Sequence, residues 1–478
     1  MSAPSNMNPV NQLKRLPLIA GALVAAVAAG FVLSFEQFAL LTAVSVVALG
    51  GLLLMAEQIN RPVTGLTVLL IVAVVAPMEA GVGQSTVALS PFVATALSGI
   101  YAVRVLFLRG TLNARLSRTV PAVLTLMAIA ALSFVIGQYP WFPTTPAPIR
   151  AQLGGLAMFL VSGGVFLLTA HQLTAPDQLK RLTWLFVALG VVAIGNSVAV
   201  ATDIKVGPIS LTNSETIGAM FWVWFVAVTL SQSLFNRELS MLWRVLLALC
   251  TALALVRGVG LAFSWVSGWL PPLVAAGVIV TMRFPRTAIA TALLLVAPVL
   301  FIGEPALEAL SQGESYSIMT RLEALRVLGR IMESNPWLGY GPSNYYHYTL
   351  LFPILGWYVN FNSHNNYIDL ILQVGLIGLL AFLWCVAESL WLAFRLRARA
   401  SNGFADGYAV GVIAGLVASL VAAALADWII PFTYNVGLRG FRSSVLFWFF
   451  TGGALALYRL SARPSAAVDY RGPIDVPA

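Results

Sequence analysis

Long apolar runs separated by short polar stretches dominate this chain. A helix needs about 20 mostly apolar residues to cross a bilayer. Such runs lie near 18–35, 38–56, 63–80, 87–108, 119–137, 152–170, 182–201, 216–235, 241–256, 258–281, 287–303, 366–394, 407–430 and 443–460. The pattern predicts an all-α polytopic membrane protein with about twelve to fourteen transmembrane helices. Between the eleventh run and the twelfth lies the longest hydrophilic stretch, Glu304 to Asn365. The chain thus divides into an N-terminal transmembrane bundle (1–303), a long loop (304–365), C-terminal transmembrane helices (366–460) and a polar tail (461–478) expected to be disordered. Gly407, Gly411 and Gly415 form a small-residue face suited to close helix approach.

Composition removes most other classes. Only 9% of residues are charged and 59% are hydrophobic, whereas soluble domains carry roughly 25% charged residues. The mean hydropathy of +0.88 agrees. A net charge of +9 raises nucleic acid as a partner, but the basic residues are scattered and form no block that would follow a phosphate backbone. Cys250 and Cys385 both lie inside apolar runs, so no disulfide framework is expected. The first run follows Lys14 and Arg15 like a signal peptide, but a second run starts at once, which favours a retained span.

Charge sets the orientation. With the N-terminus inside, 19 of the 27 Lys and Arg residues fall in cytoplasmic segments, as the positive-inside rule requires. Both termini are then cytoplasmic and the long loop is outside. The outer basic residues are Arg150, Lys205, Arg257, Arg321, Arg326, Arg330, Arg439 and Arg442.

Loops this long inside a compact protein are usually functional. Residues 317–334 have helical periodicity, with Ile318, Leu322, Leu325, Leu328 and Met332 as an apolar stripe and Glu323, Arg326, Arg330 and Glu333 opposite. An amphipathic helix on the membrane surface is expected. Arg321 falls with the apolar stripe, where it would either snorkel to headgroups or hold an anion. Pro336 to Asn344 follows, with Gly339 and Gly341 expected to form tight turns that can turn amides toward a ligand. Trp337, Tyr340, Tyr345, Tyr346, Tyr348, Trp357, Tyr358 and Phe361 suit either the membrane interface or stacking on sugar rings.

At the end of the loop, His364 precedes a helix on which Asn366, Asp369 and Gln373 share one polar face. Lipid cannot satisfy such residues, so they face a cavity or another helix. His364, at the mouth of that face, is a candidate general base or else a capping residue. The chain has no phosphate-binding Gly-rich loop ending in Lys-Ser/Thr, no Asp-x-Asp, and no His/Cys/carboxylate cluster at metal-ligand spacing. Metal-independent chemistry without a cofactor, on an anionic lipid-borne substrate, is the expectation. A transporter or lipid-linked sugar flippase is the alternative, although transporters place ionisable residues nearer mid-membrane.

Over Arg321 to Gly378 the chain resembles the O-antigen ligase and polymerase superfamily of bacterial envelope polysaccharide assembly. The resemblance is carried by Arg321-Leu-Glu-Ala-Leu, Asn335-Pro-Trp-Leu-Gly-Tyr-Gly341, Ser363-His-Asn-Asn-Tyr-Ile368 and Gln373-Val-Gly-Leu-Ile-Gly378. It implies an inner-membrane glycosyltransferase taking a glycan from a polyprenyl-diphosphate-linked donor to an acceptor hydroxyl. The acceptor would be a lipid A-core sugar in a ligase or a second carrier-linked glycan in a polymerase. It further implies His364 as the acceptor-activating residue, with Arg321 at the diphosphate. Arg257-Gly258 matches an earlier Arg-Gly of the family, while Ser267-Gly-Trp269 is a second possible counterpart of that motif. Asn365, Asp369, Gln373, Gly339 and Gly341 complete the expected substrate-binding set.

Overall fold

A computed structural model describes residues 62–74, 79–82, 85–107, 117–201, 218–261, 265–287 and 323–461. Their helices are α1 (Pro62–Val74), α2 (Leu89–Phe107), α3 (Thr119–Ile136), α4 (Ile149–Gln172), α5 (Pro176–Ala201), α6 (Ala219–Phe235), α7 (Met241–Val256) and α8 (Val266–Arg283). Then follow α9 (323–333) in the loop, and α10 (Asn366–Arg399), α11 (Phe404–Leu425) and α12 (Gly437–Ser461). Eight are long and apolar enough to cross a membrane, and three shorter apolar helices, at 63–74, 89–105 and 219–235, fall on predicted runs as well. The predicted spans at 18–35, 38–56 and 287–303 lie outside the described residues. Helix predominates, and one departure from it is a hairpin, β1 (Glu79–Val82) paired antiparallel with β2 (Ser85–Ala88).

The centre of the bundle is α6, whose apolar residues are buried nearly all round. A helix hydrophobic on every side belongs in an interior. Helices α7, α8, α11 and α12 pack around it. The Gly407, Gly411 and Gly415 face of α11 meets α6: a methyl group on Gly415 would lie 2.5 Å from the Trp224 ring, and one on Gly411 2.7 Å from Ser231. Close approach there depends on the missing side chains. By contrast α7 exposes Met241, Leu242, Trp243, Val245, Leu246, Leu249, Leu253 and Val256, which is the surface a lipid-facing helix presents.

Arg442 is buried and donates from Nε to the Ala73 carbonyl and from Nη2 to the Val74 carbonyl, both at 2.8 Å. It thereby satisfies carbonyls at the end of α1 that have no partner within their own helix, and ties the last helix to the first described one.

Candidate functional site

The loop is attached to α10 at a break in that helix. Gly375 has φ 73° and ψ 179°, so the helix kinks and its local hydrogen bonds are lost. Residues 336–341 replace them. Tyr340 and Gly341 donate their amides to the Leu372 and Gln373 carbonyls at 2.8 and 3.0 Å, and the Leu376 and Ile377 amides donate to Pro336 and Trp337 at 2.8 and 3.2 Å. Irregular backbone at membrane depth survives only when protein satisfies it. The Pro-x-x-Gly-x-Gly and Gly-x-x-Gly motifs are therefore two halves of one joint. Gly339 and Gly341 have φ of +66° and +82°, as expected for turns. The Gly341 amide is used in this joint and does not face a ligand.

Helix α9 departs from its predicted register. Ala324, Val327, Leu328 and Ile331 are its buried face, while Leu325 is 39% exposed. The face packs on Tyr340, Tyr345, Tyr348, Leu372 and Phe432, so protein and not lipid covers the helix. The Tyr340 hydroxyl also donates to the Ile331 carbonyl. Glu323 and Arg326 pair on the opposite, exposed side at 3.2 Å. Arg321 lies outside the described residues.

The polar face of α10 fastens loops to the helix. Asn365 caps the helix, its side chain accepting from the Tyr367 and Ile368 amides. Asn366 accepts from the Ile429 and Ile430 amides and donates to the Ile430 carbonyl. Asp369 accepts from Tyr345 and Ser363. Gln373 accepts from the Ser343 amide at 3.2 Å. Asp369 and Gln373 are buried and directed into protein contacts, so the structure separates them from the open space around His364.

His364 stands between two of these anchors. Ser363 Oγ donates to Asp369 at 2.7 Å on one side, and Asn365 begins the helix on the other. Between them His364 takes φ +48°, a left-handed conformation rare for a residue with a side chain. The surrounding bonds hold it there, and its side chain is exposed. It lines two cavities. One, of about 290 Å³, is bounded by Gly218, Trp265, Ser267, Leu425, Ala426, Trp428, Asn435, Val436, Arg439, Gly440 and Ser443. The other, of about 230 Å³, is bounded by Ala324, Tyr346, Ile354, Asn360, Phe361 and Asn362.

Arg257 sits in a π-helical turn at the end of α7, buried, with its guanidinium 4.4 Å from the centre of the Trp222 ring. It does not line either cavity. Its neighbours share helices with residues that line the larger one: Gly258 abuts Trp269, on the helix that carries Ser267, and Trp222 is one turn along α6 from Gly218. The two possible Arg-Gly counterparts are thus side by side.

Arg439, Trp428 and Asn435 were not singled out as site residues from sequence. Arg439 gave a signal, as an outer arginine near the start of a late span; Trp428 gave none, being one apolar residue among many. Asp427 shapes this wall by accepting from the Phe432 amide at 2.5 Å and from the Asn435 side chain. Burial pushes its carboxyl above the ordinary carboxylate range.

A comparison with curated proteins finds no match. Residues 209–383 match the family model described as O-Antigen ligase, a range that holds Arg257, Arg321, His364 and Gln373. With that match, the apolar helices make the chain a multi-pass bacterial membrane protein whose residues 209–383 are similar to the O-antigen ligase superfamily.

Proposed function

We propose that this protein transfers a glycan from a polyprenyl-diphosphate carrier to an acceptor hydroxyl at the periplasmic face of the bacterial inner membrane, as a ligase. The observation that carries this reading is the position of His364, exposed, held in a left-handed turn, and shared by two cavities. A transferase that joins two large substrates needs its proton acceptor where both can reach it. The acceptor oxygen attacks the anomeric carbon while neutral His364 takes its proton. The bond from that carbon to the diphosphate oxygen breaks, and the diphosphate leaves with the electron pair. Attack opposite the leaving group inverts the centre. Charge grows on the diphosphate as the bond breaks, so arginines beside it favour the transition state over the bound substrate. Arg257 and Arg321 are the arginines that the family resemblance assigns to that role. The reaction as written requires no metal.

The test is transfer by His364→Ala protein that inserts and accumulates normally. Transfer is expected to fall by at least about a hundredfold, within the usual range for a general base; a wild-type rate sinks the reading. The acceptor is decided by a deletion strain. Loss of lipid A-linked glycan with carrier-linked polymer still made marks a ligase. Single repeat units in place of polymer mark a polymerase and overturn the ligase assignment.

A further inference from the structure

A serine hydroxyl carries one proton, and the Ser363 hydroxyl has two acceptors in reach: Asp369 Oδ1 at 2.7 Å and the Asn365 carbonyl at 2.8 Å. That carbonyl is already engaged by the Asp369 amide at 2.9 Å, which leaves the Asp369 carboxyl as the acceptor. With its proton turned that way, Ser363 presents lone pairs to the Asn365 amide, which donates to Oγ at 3.0 Å. A side chain that accepts from the amide two residues on closes a turn around the residue between them. Here that residue is His364, and its φ of +48° lies where such a turn places it.

Both sides of the turn are anchored. Asp369 is fully buried, and the same Oδ1 accepts from the hydroxyl of buried Tyr345, whose ring stacks on Phe432 at 4.8 Å. After the turn, Asn365 accepts from the Tyr367 and Ile368 amides and donates to the Ala424 carbonyl at 3.1 Å. Asp369 lines neither cavity. Its carboxyl sets which way the Ser363 hydroxyl points, and so whether the turn under His364 can close.

We propose that Asp369 is a positioning residue for the transfer reaction, acting through Ser363 to fix the turn that presents His364 to both cavities. The inference rests on the transfer reaction proposed above. A proton acceptor works only within hydrogen-bond reach of the attacking hydroxyl, and a displacement of about 1 Å can cost about a hundredfold in rate.

Two measurements on the full-length protein test this. The first is transfer, with polyprenyl-diphosphate-linked glycan and glycan-free lipopolysaccharide extracted from the deletion strain. Ser363→Ala and Asp369→Ala should lower kcat about tenfold or more, with KM for either substrate kept within about twofold. Ser363→Thr, which keeps the hydroxyl, should recover most of the loss. The second is melting in detergent, which needs no substrate. At positive φ glycine is relaxed and alanine strained, so His364→Gly should melt about 2 °C or more above His364→Ala. In the Ser363→Ala and Asp369→Ala backgrounds that gap should vanish, because nothing then imposes the turn. Asp369→Asn keeps an acceptor oxygen and should keep the gap. If Asp369→Ala does not accumulate, Asp369→Leu, which refills the volume without an acceptor, replaces it.

An equal gap in all backgrounds overturns the proposal, as does wild-type kcat in Ser363→Ala and Asp369→Ala. A raised KM with kcat kept also overturns it, since Asp369 would then serve substrate binding. Failures are separable. If His364→Ala transfers glycan normally while the gap depends on Ser363 and Asp369, the positioning stands and the transferase reading falls. If His364→Ala is inactive while the gap is the same in every background, the reverse holds.

Discussion

A methyl group on Gly375 would lie 1.9 Å from the Trp337 carbonyl oxygen, on a backbone that only glycine adopts readily. Alanine there therefore meets both a clash and torsional strain. We expect Gly375→Ala to cost at least about 3 kcal/mol, seen as a markedly lower melting temperature in detergent; an unchanged melt would remove the joint from any structural role. Asn366 offers a graded comparison. It makes three hydrogen bonds to the 429–430 backbone from a buried position. Asn366→Ala should destabilise by about 2–4 kcal/mol, because the partner amides and carbonyl are left unsatisfied. Asn366→Asp keeps the acceptor for both amides and should cost less in the same melt. An equal loss from both variants would mean that the two accepted bonds contribute nothing.

Spans were the most legible elements. The described helices begin and end within a few residues of most of the apolar runs, because hydrocarbon admits few alternatives to a helix. Helix α9 was legible in kind but not in facing. Of the predicted stripe Leu328 is buried and Leu325 is exposed, and Ala324, Val327 and Ile331 complete the buried face. Packing against tyrosines chose the face, and apolar spacing within a helix cannot report a partner outside it. The motif residues of the site were legible as residues, not as geometry. Asp369 and Gln373 looked like a ligand-facing row, and their actual partners, Tyr345, Ser363 and Ser343, lie in the loop. A further element is the turn at Leu355 and Gly356, both at positive φ, closed by the Ile354–Trp357 bridge. No Lys, Arg, Asp or Glu occurs from Ser334 to Ile368, and this turn exposes Leu355, Trp357, Tyr358 and Val359. Such a surface belongs at the headgroup level. A spin label at position 357 should be relaxed more by oxygen than by a water-soluble nickel complex; the opposite order would place the turn in water.

The charge distribution predicts the orientation of the whole molecule, and that orientation decides which compartment the cavities open to. In a background lacking Cys250 and Cys385, a cysteine at Arg330, exposed on α9, should react with an impermeant maleimide in intact cells, whose outer membrane is made leaky to the reagent. One at Asn402, in the turn between α10 and α11, should react only after the inner membrane is opened. Reversed labelling would put His364 in the cytoplasm and leave it without its substrates.

The ribosome meets these features in an order that bears on when the protein can act. The cavity wall runs from Gly218 to Ser443, and Arg442 reaches back to the carbonyls of Ala73 and Val74. A nascent chain that has released everything up to α11 still lacks Arg439, the start of α12 and the clasp on α1. Its half-built bundle would hold His364 with one side of the larger cavity open. The larger cavity is thus walled on all its sides only when α12 enters the membrane, so insertion of that helix doubles as a check on assembly of the bundle.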